Sequence, residues 1–129
     1  MNVHSSKTIV LTQDLKDGLT LAVKNVPFQP NEVILRGVSY VAEDSAQVID
    51  LITIRTNLTN DIIYSFVPTI FFDPLANDYA FTLCTQPNIH INTLNIINQQ
   101  VTFDVNYSSE SVTAGKVYLS LILEFIKYK

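Results

Sequence analysis

The carboxyl-terminal segment GKVYLSLILEFIKYK places an apolar residue at every second position from Val117 onward. Successive side chains of a β-strand point to opposite faces, so this alternation predicts a strand with one buried face. The predicted core positions of this strand are Val117, Leu119, Leu121, Leu123 and Phe125. We therefore expect the end of the chain to form part of the hydrophobic core.

The same alternation recurs through the rest of the chain, for example in VTFDVNY at 101–107. The residues that carry it are mostly β-branched or aromatic, the types that pack well on a pleated surface. Segments rich in Asp, Asn, Pro and Gly separate these stretches and predict turns. The predicted strands are 7–12, 18–24, 32–42, 47–56, 62–72, 79–84, 88–93, 99–107 and 116–128.

So many short strands in 129 residues predict an all-β fold. The favoured architecture is a single jelly-roll β-sandwich of about eight antiparallel strands in two facing sheets. An immunoglobulin-like sandwich is the alternative, but the chain has one cysteine and no tryptophan, and so lacks the core of antibody-type domains. We expect one domain over residues 1–129, with residues 1–6 as a flexible N-terminal arm.

The second face of the last strand is unusually apolar for a face in contact with water. A connected apolar strip of this kind often marks an interface, although a loop of the same chain could also cover it. The run IIYSFVPTIFF is also largely apolar, and Pro68 confines part of it to a sheet edge or bulge. The predicted interface residues are Tyr118, Ile122, Ile126, Tyr128, Phe71 and Phe72.

Composition supports association rather than binding to nucleic acid. Charged residues make up only 16% of the chain, against roughly 25% in typical soluble domains. The net charge is -4 and the eight basic residues are scattered, so nucleic-acid binding is not expected. No segment has the roughly 18 consecutive apolar residues that a membrane span requires. The single cysteine, Cys84, lies in an apolar run and is expected to be a small buried hydrophobic residue.

No residue pattern predicts catalysis, a metal site or a cofactor. The three glycines are too far apart for a phosphate-binding loop, and neither His4 nor His90 has a partner at a recognisable spacing. His90 alternates with two isoleucines and is expected on the polar face of a strand. Asp50 lies among apolar residues and is expected to pair with Arg36 or Arg55 in a structural role. The chain is therefore predicted not to be an enzyme.

Two stretches resemble small jelly-roll proteins associated with the capsids of virophages and polinton-like viruses. They are VILRGVSY leading to IRTNLTND, residues 33–61, and the closing LEFIKYK, with PNIHIN between them. The resemblance implies a structural virion protein: a penton-like protein, a minor capsid component or the head of a vertex spike. It implies self-association as a trimer or pentamer, contacts with other capsid proteins, no cofactor, and a location in the virion after synthesis in the host cytoplasm.

The alternative function is a ligand- or carbohydrate-binding β-sandwich, such as a receptor-binding fibre head. Modules of this kind stack sugars on exposed aromatic rings, and the chain offers several tyrosines but no tryptophan. The two functions differ in solution, because a capsid component is a stable oligomer and a binding module can be a monomer that recognises glycans.

Overall fold

The residues that the structure describes form nine β-strands. The computed structural model describes residues 3–15, 18–24, 26, 28–42, 48–59, 61–67, 81–91, 101–111 and 117–128, and no helix occurs among them. The strands are β1 (Val3–Asp14), β2 (Thr20–Val23), β3 (Glu32–Ala42), β4 (Val48–Thr56), β5 (Ile62–Phe66), β6 (Phe81–Thr85), β7 (Ile89–Ile91), β8 (Val101–Ser111) and β9 (Val117–Tyr128). Each predicted strand corresponds to one of these, with its ends shifted by a few residues, except that residues 68–72 of the strand predicted over 62–72 lie outside the described residues.

The strands form two antiparallel sheets. Sheet A has the order β1-β9-β3-β6, and β7 also pairs with β3. Sheet B has the order β2-β8-β4-β5. The predicted all-β sandwich is confirmed. Because the first strand pairs with the last and successive strands alternate between sheets along much of the chain, the strand order is compatible with the predicted jelly roll.

The core lies between the sheets and follows the period-two pattern. On β9 the side chains of Leu119, Leu121, Leu123 and Phe125 are fully buried, as predicted. Sheet B contributes the opposing buried side chains, which are Leu21, Val23, Ile52, Ile54, Val101, Phe103 and Val105. Full burial of one such side chain is worth about 1.5–3 kcal/mol, so the last strand makes a large contribution to stability.

An aromatic pair closes one part of the core. The rings of Tyr40 on β3 and Phe66 on β5 meet edge to face, with centroids 6.2 Å apart and an interplanar angle of 79°. Phe66 also stacks on Tyr64 at 5.7 Å. These contacts join sheet A to sheet B where β5 forms the edge of its sheet.

The first strand of sheet A overlaps the N-terminal arm predicted over residues 1–6. Strand β1 begins at Val3, and Ser5 and Ser6 lie opposite Lys127 and Ile126 of β9. Residues 3–6 are therefore part of sheet A. The sequence pattern misses them because HSSK is polar on both faces and shows no alternation.

Candidate functional site

The outer face of sheet A is the surface on which the predicted interface residues of β9 lie. Strand β9 has β1 on one side and β3 on the other, and its odd-numbered side chains fill the core. Its even-numbered side chains therefore point away from sheet B. The outer face of sheet A consists of these residues together with their neighbours in register on β1 and β3.

The structure places three of the four nominated β9 residues where a partner could reach them. Tyr118, Ile122 and Tyr128 are half-buried. Ile126 is only 6% exposed, so its side chain is largely covered within the chain, and its predicted place in an interface stays a prediction. Strand β9 has a neighbouring strand on each side, so Ile126 lies between Ser6 of β1 and Glu32 of β3. A residue on the outer face of a central strand can therefore still be covered by its neighbours. The other two nominated residues, Phe71 and Phe72, lie outside the described residues.

A β-bulge in β3 organises the middle of this face. The register against β9 shifts between Leu35 and Gly37, so Ile34 lies opposite Glu124 and Gly37 lies opposite Ile122. Arg36 is the additional residue, and a bulge of this kind redirects the side chain that it carries. The Arg36 guanidinium donates from Nε to Glu124 Oε2 at 2.8 Å.

Hydrogen bonds between side chains tie β1, β9 and β3 together on the outer face. Ser6 on β1 donates from Oγ to the same Glu124 carboxylate at 3.2 Å. Further along the same two strands, Thr12 Oγ1 and Ser120 Oγ share a hydrogen bond of 2.9 Å. Arg36 also reaches Asn88, with Nη1 3.4 Å from Oδ1. The polar part of the face is therefore held in place from β1 across to the segment before β7.

A second polar cluster lies at the end of the sheet where β9 finishes. The Tyr128 hydroxyl donates to one oxygen of Glu32, and Nδ1 of His90 lies against the other oxygen. The hydrogen bond from Tyr128 holds the pKa of the Glu32 carboxyl below its usual value. The same hydrogen bond raises the pKa of the Tyr128 phenol, because ionisation would remove the donor. His90 is largely exposed, in agreement with its predicted position on a polar face.

Val10 is the exposed apolar residue on this face that sequence reasoning missed. It lies on β1 opposite Ile122 of β9 and is 59% exposed. Its neighbours Ile9 and Leu11 pack against the core instead. Three consecutive apolar residues in a strand must place at least one on the outer side, and this signal is present in the sequence TIVLT.

The outer face of sheet B has a different character. Its exposed apolar residues are Leu51 on β4 and Ile62 on β5, which are 39% and 49% exposed. The same face also carries polar side chains: Thr20 on β2 donates from Oγ1 to Asp104 on β8 at 2.9 Å. This face therefore offers isolated apolar residues within a polar surface.

One further prediction about a single residue is corrected, and another concerns a side chain outside the described residues. Cys84 is exposed, not buried, because Leu83 lies opposite the buried Tyr40 and the next side chain must point outward. Its Sγ donates to Ser39 Oγ at 3.8 Å. Arg36 pairs with Glu124. The side chain of Asp50 lies outside the described residues, so its predicted pairing with Arg36 or Arg55 stays a prediction.

The described residues contain no group of three or more His, Cys, Asp or Glu side chains that could hold a metal ion. A helix able to cross a membrane is absent from the same part of the chain. The outer face of sheet A thus presents half-buried apolar residues, the exposed Val10 and polar side chains that are hydrogen-bonded to one another.

Comparison with known proteins gives little similarity. No protein-family model matches the chain, and no curated protein matches it. One solved structure that resembles it is the Drosophila NLP core, described as informative on pentamer formation and histone binding. That similarity has a TM-score of 0.46 and 10% sequence identity, and it covers 97% of this chain and 100% of the other.

The prediction of a structural virion protein is corrected, because none of the comparisons connects the chain with a capsid. They give no support to the ligand-binding alternative either. The resemblance of the sequence to proteins of virophages is tested by none of these comparisons and stays a prediction.

Proposed function

We propose that this protein is a structural module that assembles with copies of itself, and that it does so through sheet A. The observation that carries the proposal is the position of Val10. A single exposed apolar residue is ordinary, but Val10 lies beside the half-buried Ile122 and on β1, the outermost strand of sheet A among the described residues. An apolar residue at an unpaired sheet edge is a site at which chains associate.

Composition supports the same function. Only 16% of the residues are charged, so a large part of the surface can be removed from water without desolvating an ion. Interface cores are depleted in charged residues for this reason. The protein acts by assembly, and the apolar residues that the low charge leaves at its surface are those that subunit contacts cover.

The hydrogen bonds of the outer face prepare it for association. Thr12 is tied to Ser120, and Arg36 and Ser6 are both tied to Glu124. Side chains that are already ordered lose less conformational entropy when a partner covers them. One of these hydrogen-bonded groups lies on each side of Val10 along the strands. The proposed contact at Val10 is therefore bordered by polar side chains that already have partners.

The test is a comparison of two matched substitutions by analytical ultracentrifugation. Val10→Asp places a charge on the proposed contact, and Ile62→Asp makes the same kind of change at a similarly exposed residue of sheet B. We expect the unmodified protein and the Ile62→Asp variant to sediment as the same oligomer. The Val10→Asp variant should sediment as the 14.5 kDa monomer, because an unpaired buried charge is strongly unfavourable.

Each outcome decides a different part of the proposal. A monomeric unmodified protein contradicts self-assembly itself. An oligomer that Ile62→Asp dissociates and Val10→Asp does not would move the contact to sheet B. Circular dichroism of both variants checks that they remain folded, which the exposure of both positions leads us to expect.

A further inference from the structure

Strand β1 is a long edge with few of the features that prevent edge-to-edge pairing. It pairs along its whole length with β9, and no other strand of the described residues pairs with it. Natural edges are protected by proline, by frequent charges or by bulges. From Ser5 to Asp14 the strand has no proline, its register against β9 is regular, and Lys7 is its only basic residue.

We infer that two copies of the chain pair antiparallel through β1, about a two-fold axis that passes beside Val10. This inference rests on the proposed function and specifies how the assembly forms. The contact is isologous, since the same strand of each copy meets the other. It would join the two A sheets into one continuous sheet across the dimer.

The sequence of β1 selects the register. Residues that face each other across such an axis must lie on the same face of the sheet. With Val10 opposite Val10 of the second copy, Ile9 lies opposite Leu11 and Thr8 lies opposite Thr12. Apolar residues then meet apolar residues on both faces, and threonine meets threonine, which are favourable cross-strand pairs.

A neighbouring register on the same strand is poorer. An axis at Ile9 would place Lys7 opposite Leu11, whereas the axis at Val10 places Lys7 opposite Gln13. The lysine then faces a polar side chain with which it can share water or a hydrogen bond. The register centred on Val10 therefore avoids setting a charged residue against an apolar one.

Disulfide cross-linking tests the register directly. In a Cys84→Ser background, which removes the native thiol, Val10→Cys places two thiols on the axis, within the Cα separation of about 4.4–6.8 Å that a disulfide requires. Mild oxidation should shift the chain from 14.5 kDa to twice that mass on a non-reducing gel. The substitution preserves a small apolar side chain at an exposed position, so folding should be retained.

Thr8→Cys in the same background is the matched control. Two copies of residue 8 would lie roughly 13 Å apart along the strands, at about 3.3 Å per residue, which is beyond the reach of a disulfide. Thr8→Cys alone should therefore stay monomeric on the gel. A mixture of Thr8→Cys chains with tagged Thr12→Cys chains should form the mixed dimer.

The failure of this inference is distinguishable from the failure of self-assembly. If the unmodified protein is an oligomer but Val10→Cys does not cross-link, or Thr8→Cys cross-links with itself equally well, the β1 register is wrong while self-association stands. A trimer or pentamer by light scattering would also overturn the β1 pairing alone, because an odd-numbered ring cannot be built from two-fold contacts. A monomer at all concentrations overturns both.

Discussion

Arg36 and Glu124 form an ion pair across β3 and β9, with Nε 2.8 Å from Oε2 and both side chains partly exposed. The pair exists because a bulge at Arg36 turns its side chain toward the carboxylate, which also accepts from Ser6. Glu124 is thus shared between β1 and β3, the two neighbours of the last strand.

Removal of the ion pair should have a small effect on stability. Glu124→Gln keeps the shape of the side chain and removes its charge, and we expect it to lower the free energy of unfolding by about 0.2–1 kcal/mol, as is usual for exposed pairs. Urea denaturation at low and high salt measures this effect. The loss should shrink in high salt, where the pair is screened, and a loss that is independent of salt would show that the charge is not the cause.

The close approach of Gly37 to Ile122 predicts a stronger effect. A Cβ at position 37 would lie 3.1 Å from Ile122 Cδ1, so Gly37→Val should overpack the face and cost about 1–3 kcal/mol. Adding Ile122→Ala should recover part of the loss, because it removes the atoms that clash. Thermal unfolding of the two single variants and the double variant measures the coupling.

A matched control exists for this cycle. Gly18 has a similar contact at 3.1 Å, but with the amide end of Gln13, a flexible side chain that can move away. Gly18→Val should therefore be destabilised less than Gly37→Val. If the stability losses of Gly37→Val and Ile122→Ala simply add in the double variant, the clash between a side chain at position 37 and Ile122 is not the cause of the destabilisation.

The core role of β9 predicts a large difference between two leucines. Leu121 is fully buried and Leu51 is 39% exposed. Leu121→Ala should lower the free energy of unfolding by about 2–5 kcal/mol, since it leaves a cavity between the sheets. Leu51→Ala should change it much less, because its side chain already contacts water. Equal losses in denaturant titrations would contradict the observed placement of β9.

The burial of Tyr40 predicts an alkaline transition. Burial raises the pKa of its phenol to about 12, above the ordinary value of 10.0. The unfolded chain therefore releases this proton more readily than the folded chain. The free energy of unfolding is unaffected by this group below pH 10 and falls as the pH rises from there through about 12. Tyrosinate absorbance should show a late phase from Tyr40, together with unfolding.

Tyr40→Phe is the control for that titration. It should remove the contribution of Tyr40 to the late phase of the absorbance change. A late phase of unchanged amplitude in Tyr40→Phe would assign the pKa of about 12 to another residue.

The sequence predicts the sheets better than their surfaces, for a physical reason. Core positions repeat every second residue, so Leu119 to Phe125 can be placed inside from the pattern alone. The bulge at Arg36 leaves no such pattern, so its pairing with Glu124 could not be predicted. The prediction for Cys84 is wrong because it follows the local apolarity instead of the alternation along the strand. Exposure of Val10 depends on β1 being an edge strand, which is a property of the whole sheet order.

Assembly through β1 is best tested by the solution mass of the unmodified protein, measured by light scattering over a dilution series in the micromolar range. Pairing through β1 predicts a mass of twice the 14.5 kDa of the chain, or a larger even multiple, that falls toward the monomer on dilution. A mass of 14.5 kDa at every concentration would contradict it.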